Sequence, residues 1–473
     1  MSLRITYKNS KLTGSQGNMN REFLAKIGFA SDSLCPLRRI QRSREERMRN
    51  ILFVYYSTTF FLRPFQREHL LSFHKYSGHR CFYLNLAVQR VPRYFYYIPF
   101  DLIVYDWFFL GVRWNREVAR KGLNRARALK SIEAVKIALP QDECNNSDWL
   151  CNFINEFKID IVFSVASDSQ WPVIYSNVDF KKTKFFRVLP GYIEETIPAR
   201  IASMAQEISE RSIDIGYRTG YFPAFGRQGL LKSQLAETFQ RKAEQYGVVA
   251  DISSQAKDFL AGDDWYRFLL RCKYTLGVES GASLLDRDGC IWESSLEYLE
   301  HHPEASFQEV EAACFPRLDG NLELYAISPR HLEACATRTC QILIEGDYNG
   351  ILKAGEHYIE LKRDFSNVDQ LMELVRQDTL RTEITERAHR DIVESGQYTY
   401  RSFVQYVLER ALPDIKLSIL SPSDVARSRV LYIWMRFRHW LSWGMVALIS
   451  LRNRWLKKIL PMEVVTILRK IDR

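Results

Sequence analysis

The sequence predicts an α/β protein: two Rossmann-like doubly wound domains facing across a cleft, followed by a basic helical C-terminal tail. Three observations predict it. Short apolar runs alternate with helical stretches from Ile51 onward, the pattern of parallel sheets flanked by helices. The alternation pauses over Glu194 to Ser212, a charged, Pro198-containing stretch that reads as a hinge, and then restarts. Past Pro413 the composition changes to tryptophan interleaved with arginine. The expected layout is a basic, disordered extension over 1–47, a first domain over 48–198, a second over 199–410 and a tail over 411–473.

In the first domain, Ile51 to Tyr56 reads as a buried strand and Phe65 to Tyr76 as a helix. Cys81 to Leu86 and Leu102 to Tyr105 are further strands, and Glu117 to Ser131 is a basic helix. Ala134 to Leu139 is a strand, Ser147 to Phe157 a helix, and Ile159 to Val165 a strand ending at Ser167-Asp168. Met48, just before the first strand, is a candidate alternative start.

The second domain opens with a strand in Ser212-Ile-Asp-Ile-Gly-Tyr-Arg. It continues through a helix (Leu230 to Tyr246), a strand (Val248 to Ile252), a helix (Asp263 to Cys272) and a strand (Tyr274 to Gly277). An inserted segment spans Asp286 to Asn321, where Pro303-Glu-Ala-Ser-Phe-Gln-Glu-Val carries a helix-capping signal. Ser328 is then a candidate N-cap with Pro329 at the first helical position. Cys340 to Ile344 reads as a buried strand closed by Glu345-Gly346. This unit places Arg330, His331 and Glu333 near a sheet edge, where open α/β sheets bind ligands. A helical region from Asn367 to Arg410 completes the domain.

At 473 residues, with 46% hydrophobic and 26% charged residues, the chain has room for two or three globular cores. Nine cysteines without a CxxC pair or a Cys/His cluster of zinc spacing point to reduced thiols in a cytosolic protein. The N-terminus lacks an apolar signal core, which argues against secretion. Residues 1–50 hold 11 Lys/Arg against 4 Asp/Glu, and residues 425–473 hold 11 against 2. With a net charge of +10 overall, the body is mildly acidic and its ends basic. That distribution does not describe a nucleic-acid groove, and no nucleic-acid partner is expected.

In the tail, the apolar run Trp440 to Leu451 is 12 residues, short of the roughly 20 that span a bilayer. Tryptophans among arginines suit a helix lying in an anionic membrane interface. The alternative is a helical hairpin packed on the body.

The second domain resembles the C-terminal half of a GT-B glycosyltransferase, of the family 1-like kind found in bacterial surface-polysaccharide synthesis. The residues that carry the resemblance are Asp214-Ile-Gly-Tyr-Arg-Thr-Gly, Leu276-Gly-Val-Glu-Ser-Gly-Ala-Ser, Ile327-Ser-Pro-Arg-His-Leu-Glu-Ala, Ile344-Glu-Gly-Asp-Tyr-Asn-Gly-Ile-Leu and His357-Tyr-Ile-Glu-Leu-Lys-Arg-Asp-Phe-Ser-Asn. It covers about 205–400, is only architectural over 48–198, and excludes both ends. It implies transfer of a sugar from a nucleotide-sugar donor to a saccharide or lipid-linked acceptor. It also implies a cytoplasmic location, with the tail holding the enzyme on the inner face of the plasma membrane.

By the resemblance, Glu333 holds the ribose hydroxyls of the donor, a role that suits a carboxylate because it can accept two hydrogen bonds from a cis-diol. Arg218 and Arg330 are the candidates for the diphosphate. Ser280 and Gly281 could offer backbone N–H groups, and His331 and Glu345 complete the donor side. No metal or other cofactor is expected, because such enzymes usually meet the diphosphate charge with side chains. One departure from the pattern stands out: Glu333 and Glu345 are 12 apart, whereas many retaining members carry two glutamates eight apart on one helix. For the acceptor side, Asp142 and Asp168 lead a group that includes Asp106, Glu143, His69 and His74. Two alternatives have the same architecture, a nucleotide-sugar epimerase and a non-catalytic membrane-docked scaffold.

Overall fold

Six parallel strands make the first sheet: β1 (Asn50–Tyr55), β2 (Arg80–Asn85), β3 (Leu102–Tyr105), β4 (Val135–Ala138), β5 (Ile161–Ser164) and β6 (Lys184–Arg187), in the order β2-β1-β3-β4-β5-β6. This is a computed structural model that describes residues 48–459 except 60–61, 63, 207–209, 221, 261 and 416–420. The basic extension over 1–47 lies outside the described residues, as does the end of the tail.

Every residue of β1 is buried, and its side chains alternate between two cores. Leu52 and Val54 face Phe82, Phe95 and Leu150, the last on α3 (Ser147–Phe157). Ile51, Phe53 and Tyr55 face Leu70 and Phe73 of α1 (Pro64–Tyr76). Between these helices in sequence comes α2 (Arg116–Ala126), capped by Asn115.

The linker holds α4 (Ile197–Gln206), so a stretch that reads as a hinge contains an ordered helix, buried through Ile197, Ile201 and Met204. Strand β6 is absent from the sequence reading. It is a four-residue edge strand, Lys-Phe-Phe-Arg, too short and too charged at its ends for a periodicity signal.

The second sheet is also all parallel. It contains β7 (Ile213–Arg218), β8 (Ala250–Ser253), β9 (Cys272–Gly277), then β12 (Cys340–Ile344) and β13 (Ile359–Leu361), in the order β13-β12-β9-β7-β8. Its first two helices are α5 (Gly226–Tyr246) and α6 (Asp263–Arg271). Ser280-Gly-Ala is a strand, β10 (Ser280–Ala282), paired antiparallel with β11 (Leu324–Ala326). Gly281 has φ +116°, and a Cβ there would stand 1.8 Å from the Leu324 carbonyl oxygen, so the pairing needs glycine.

The insertion forms α7 (Cys290–His301) and α8 (Phe307–Cys314), the latter opened by a Ser306–Glu309 capping box. It docks on the first lobe. Asp286 N donates to Cys144 O at 2.8 Å, and the Trp114 and Trp292 rings meet edge to face at 4.5 Å.

Then come α9 (Pro329–Ala336), capped by Ser328, and α10 (Val368–Leu374), α11 (Asp378–Ala388) and α12 (Tyr400–Ala411). Helix α12 follows the second lobe in sequence, yet Tyr400, Phe403, Val404 and Val407 pack on the β1 face beside Phe73. The tail is one 38-residue helix, α13 (Pro422–Ile459). Its inner face lies along β1 and β2 through Ser428 and His439, and Met435 meets Tyr94. No described helix is long and apolar enough to cross a membrane.

Candidate active site

In a doubly wound sheet, ligands sit where the chain changes direction, beyond the carboxyl ends of the strands. In the second sheet that point lies between β7 and β9, and two adjoining recesses open there. The first is walled by Phe65 of the first lobe and by Phe259, Leu260, Trp265 and Tyr266, with Glu333 set into it. The second is more polar, lined by Thr219, Lys232, Ser280, Arg330 and His331 among others. Arg218, Trp265, Ser328 and Arg330 belong to both, so the recesses form one continuous cleft of an aromatic end and a cationic end.

Glu333 is half-buried on α9 and accepts from Trp265 Nε1 at 2.8 Å and from Tyr266 OH at 3.4 Å. Burial pushes its carboxyl up to about 7, against those donors and the charge of Arg330. A carboxylate held by an indole and a phenol still has lone pairs for a diol.

Arg330 sits at the start of α9, where its Nη1 donates to Arg218 O at 2.6 Å and its guanidinium stands 5.6 Å from the Trp265 ring centre. Arg218 is less available than expected. Its guanidinium pairs with Asp251 at 2.7 Å, donates to the carbonyls of Tyr217, Asp251 and Asp258, and stacks over Phe268. It braces the wall of the cleft, because a strand-end arginine next to β8 meets Asp251 before it meets solvent.

Lys232, a residue sequence reasoning missed, projects from α5 into the polar recess. Among the described residues it has no ion pair, and its nearest ring is Phe225 at 5.9 Å. Burial lowers its pKa, Arg330 lowers it further, and the charge of Asp142 from the first lobe opposes both. A lysine on the polar stretch of a long helix carries no sequence signal of its own.

The remaining donor-side residues divide. Ser280 lines the recess, while Gly281 is spent on β10–β11 pairing. His331 forms the floor: Nδ1 lies 2.9 Å from Gln341 Oε1, and Nε2 lies 3.3 Å from Val278 O. Burial drives its pKa down to about 4, leaving a neutral ring turned toward protein acceptors. Glu345 is exposed at the end of β12, where it accepts from Arg363 N at 3.2 Å, and it lines neither recess.

From the first lobe, Asp142 lines neither recess, and its tie to the cleft is its charge interaction with Lys232. It has φ +50° in the turn after β4, a conformation aspartate tolerates. Buried Arg113 holds this turn, donating to the carbonyls of Leu110, Gln141, Asp142 and Asn145. Asp142 opens to solvent, yet the surrounding walls push its carboxyl up, against the pull of Arg113 and Lys232. Asp168 starts an exposed turn two strands beyond β3 and lines neither recess. His69 and Asp106 form a buried pair at 2.7 Å at the first sheet's own switch point, beyond β3.

Two parallel sheets thus contribute their carboxyl edges to one cleft, and a late helix returns to the first sheet. The fold is GT-B. No protein-family model matches this chain, and no curated protein does. Among solved structures, this GT-B chain is similar to HepE from Anabaena in complex with UDP-glucose (11% identity over 76% of this chain and 98% of that one, TM-score 0.43). Another is sucrose-phosphate synthase from Thermosynechococcus elongatus (9%, 78% and 100%, TM-score 0.40). A third is the C-terminal domain of the glycosyl transferase group 1 family protein LpcC from Francisella tularensis (11%, 44% and 98%, TM-score 0.25).

Proposed function

We propose that this protein transfers a sugar from a nucleotide-sugar donor to a saccharide or lipid-linked acceptor. The observation that carries the reading is the cleft at the β7–β9 switch point, where an aromatic recess holding a carboxylate leads into a recess holding two cations. A nucleoside fits the first, base against Trp265 and Phe259 and ribose hydroxyls on Glu333. A diphosphate fits the second, between Lys232 and Arg330, with Ser280 beside it.

In the reaction an acceptor hydroxyl attacks the anomeric carbon and the bond from that carbon to the diphosphate oxygen breaks. The electron pair leaves on the diphosphate, where Lys232 and Arg330 meet the growing charge. The hydroxyl proton goes to a base on the acceptor side, and Asp142, the first-lobe carboxylate whose charge acts on Lys232, is the candidate. Because two cations already face the leaving group, the reading expects turnover without a metal, and activity should survive exhaustive chelation. The location that goes with it is the cytoplasmic face of the plasma membrane, with the acceptor drawn from surface-polysaccharide synthesis.

Calorimetry against UDP-, GDP- and dTDP-sugars tests the donor site. Binding of one nucleotide class, lost in Glu333→Ala and Lys232→Ala with unchanged melting temperature, is the expected result. Heat from none of them would favour the scaffold, and conversion of a nucleotide sugar without any acceptor would favour the epimerase. In Asp142→Asn, donor binding should persist while turnover falls about 10²–10⁴-fold.

A further inference from the structure

Helix α13 has two unlike faces. Its inner face is sealed against the first lobe: Asn50 Nδ2 donates to Ser428 Oγ at 3.3 Å, Tyr55 OH lies 3.4 Å from His439 Nδ1, and Trp443 stacks on Tyr55. Its outer face shows Ile433 (69% exposed), Trp434, Phe437, Trp440 (68%), Leu448 and Leu451 to solvent. With Leu441 and Met445, also exposed, the series Trp434, Phe437, Leu441, Met445, Leu448 and Leu451 recurs every three or four residues, and Ile433 and Trp440 flank it in one continuous stripe. From Ile433 to Leu451 the stripe runs about 27 Å at 1.5 Å per residue. The rings of Trp434, Phe437 and Trp440 follow one another at 5.8 and 6.1 Å. A contiguous exposed apolar stripe with charged residues beside it marks an interaction surface.

A second element adjoins it. The turn Arg93–Tyr97 exposes Tyr96 and Tyr97, and these two tyrosines share a recess with Asp424 and Arg427 from the start of α13. Arg90 and Arg93 are exposed beside them. Tyrosine, tryptophan and arginine together are the residues that settle at the level of lipid headgroups.

We infer that the outer face of α13 and the Arg93–Tyr97 turn form one lipid-binding surface, seated on an anionic bilayer. Charge selects this occupant. Arg427 and Arg436 are exposed on the same helix, and residues 425–473 hold 11 Lys/Arg against 2 Asp/Glu, so phosphate headgroups complement the stripe. A second copy would set like arginines against each other across a two-fold axis. The surface also has a direction. Ser428 lies at the start of β1 and His439 beside Tyr55 at its end, so α13 runs toward the carboxyl edge of the first sheet. Resting on the glycosyl-transfer reading, the surface points to an acceptor that is lipid-borne and reaches the cleft without leaving the bilayer.

The test uses the full chain with vesicles of phosphatidylcholine, with and without phosphatidylglycerol. Salt-sensitive binding to the anionic vesicles is expected, reduced at least tenfold in Trp434→Glu/Phe437→Glu/Trp440→Glu and several-fold in Tyr96→Ser/Tyr97→Ser. Both variants should keep the wild-type melting temperature and its heat with the nucleotide-sugar panel, since neither touches the cleft. Equal binding to both vesicle types, or none to either, overturns the inference. So does a concentration-dependent dimer that the triple variant dissolves. Vesicle binding without heat from any nucleotide sugar would leave the lipid surface standing and remove the donor site.

Discussion

At the second lobe's switch point, the ends of β7 and β9 open onto an aromatic and cationic cleft. At the first lobe's equivalent point, between β1 and β3, the polar groups turn inward: His69 bonds Asp106 under the rings of Tyr400 and Phe403 on α12. The two sheets share a parallel topology, so topology does not make the difference. The covering does. Over the second sheet, Lys232 and Glu333 face space shaped for a ligand, whereas over the first, a helix from the far end of the chain fills that space with side chains. A switch point is therefore an offer of a site, and what packs over it decides whether chemistry or stability takes the position.

Of the two switch points, the open side should show the larger effect on turnover. Lys232→Ala removes a cation aimed at the leaving group, and turnover should fall about 10²–10³-fold, the usual loss for one such electrostatic donor. Steady-state kinetics with the donor identified by calorimetry measures it. An unchanged rate would mean that the cationic recess does not hold the diphosphate.

On the closed side, His69→Ala should act on stability. Among the described residues it leaves the fully buried Asp106 carboxylate with the Phe108 N–H as its donor, at a cost of about 3 kcal/mol or more. Denaturant unfolding reads this directly. If the variant keeps its stability and loses turnover instead, the comparison breaks, and the pair belongs to the acceptor machinery.

A subtler effect separates function from stability at Glu333. Its folded pKa of about 7 lies above the ordinary 4.5, so ionising it opposes folding. The stability it contributes is fully present below about 4.5 and is lost as pH rises through 7. Donor affinity should run the other way, falling as pH drops through 7, because protonation removes an acceptor for the ribose hydroxyls. Opposite slopes in thermal melts and calorimetry across that window would identify the residue, and Glu333→Gln should flatten both.

Much of this comparison was legible in the sequence where neighbours in the chain carry it. Ser328 and Pro329 mark the start of α9, the run Cys340–Ile344 is β12 to the residue, and the Gly-Tyr-Arg and Ser-Pro-Arg-His-Leu-Glu segments do meet at one cleft. What stayed hidden depends on contacts distant in sequence. Arg218 looks free until Asp251 pairs with it, and His69 finds Asp106 across 37 positions. The apolar face of α12 carries the same periodicity whether it covers the second sheet or, as it does, the first. Lys232 becomes informative only when its surroundings show a cation facing a recess with no ion pair among the described residues. The tail lies between these cases: its composition announces an amphipathic helix, and only packing shows which stripe is sealed.

The smallest expected effect is at Glu345, and it sharpens the boundary of the open site. A glutamate that follows a buried strand invites a role, but β12 ends at Ile344 and Glu345, one residue past it, is exposed, where Arg363 N meets it. An exposed pairing of this kind contributes at most a fraction of a kcal/mol. Glu345→Ala should therefore leave donor affinity within about twofold and change stability by less than about 0.5 kcal/mol. A tenfold loss of affinity would mean that the cleft extends past β12 when a donor is bound, bringing a second carboxylate to the sugar. The 12-residue spacing from Glu333 would then be a different solution to the paired-glutamate arrangement, with one carboxylate on a helix and the other at a strand end.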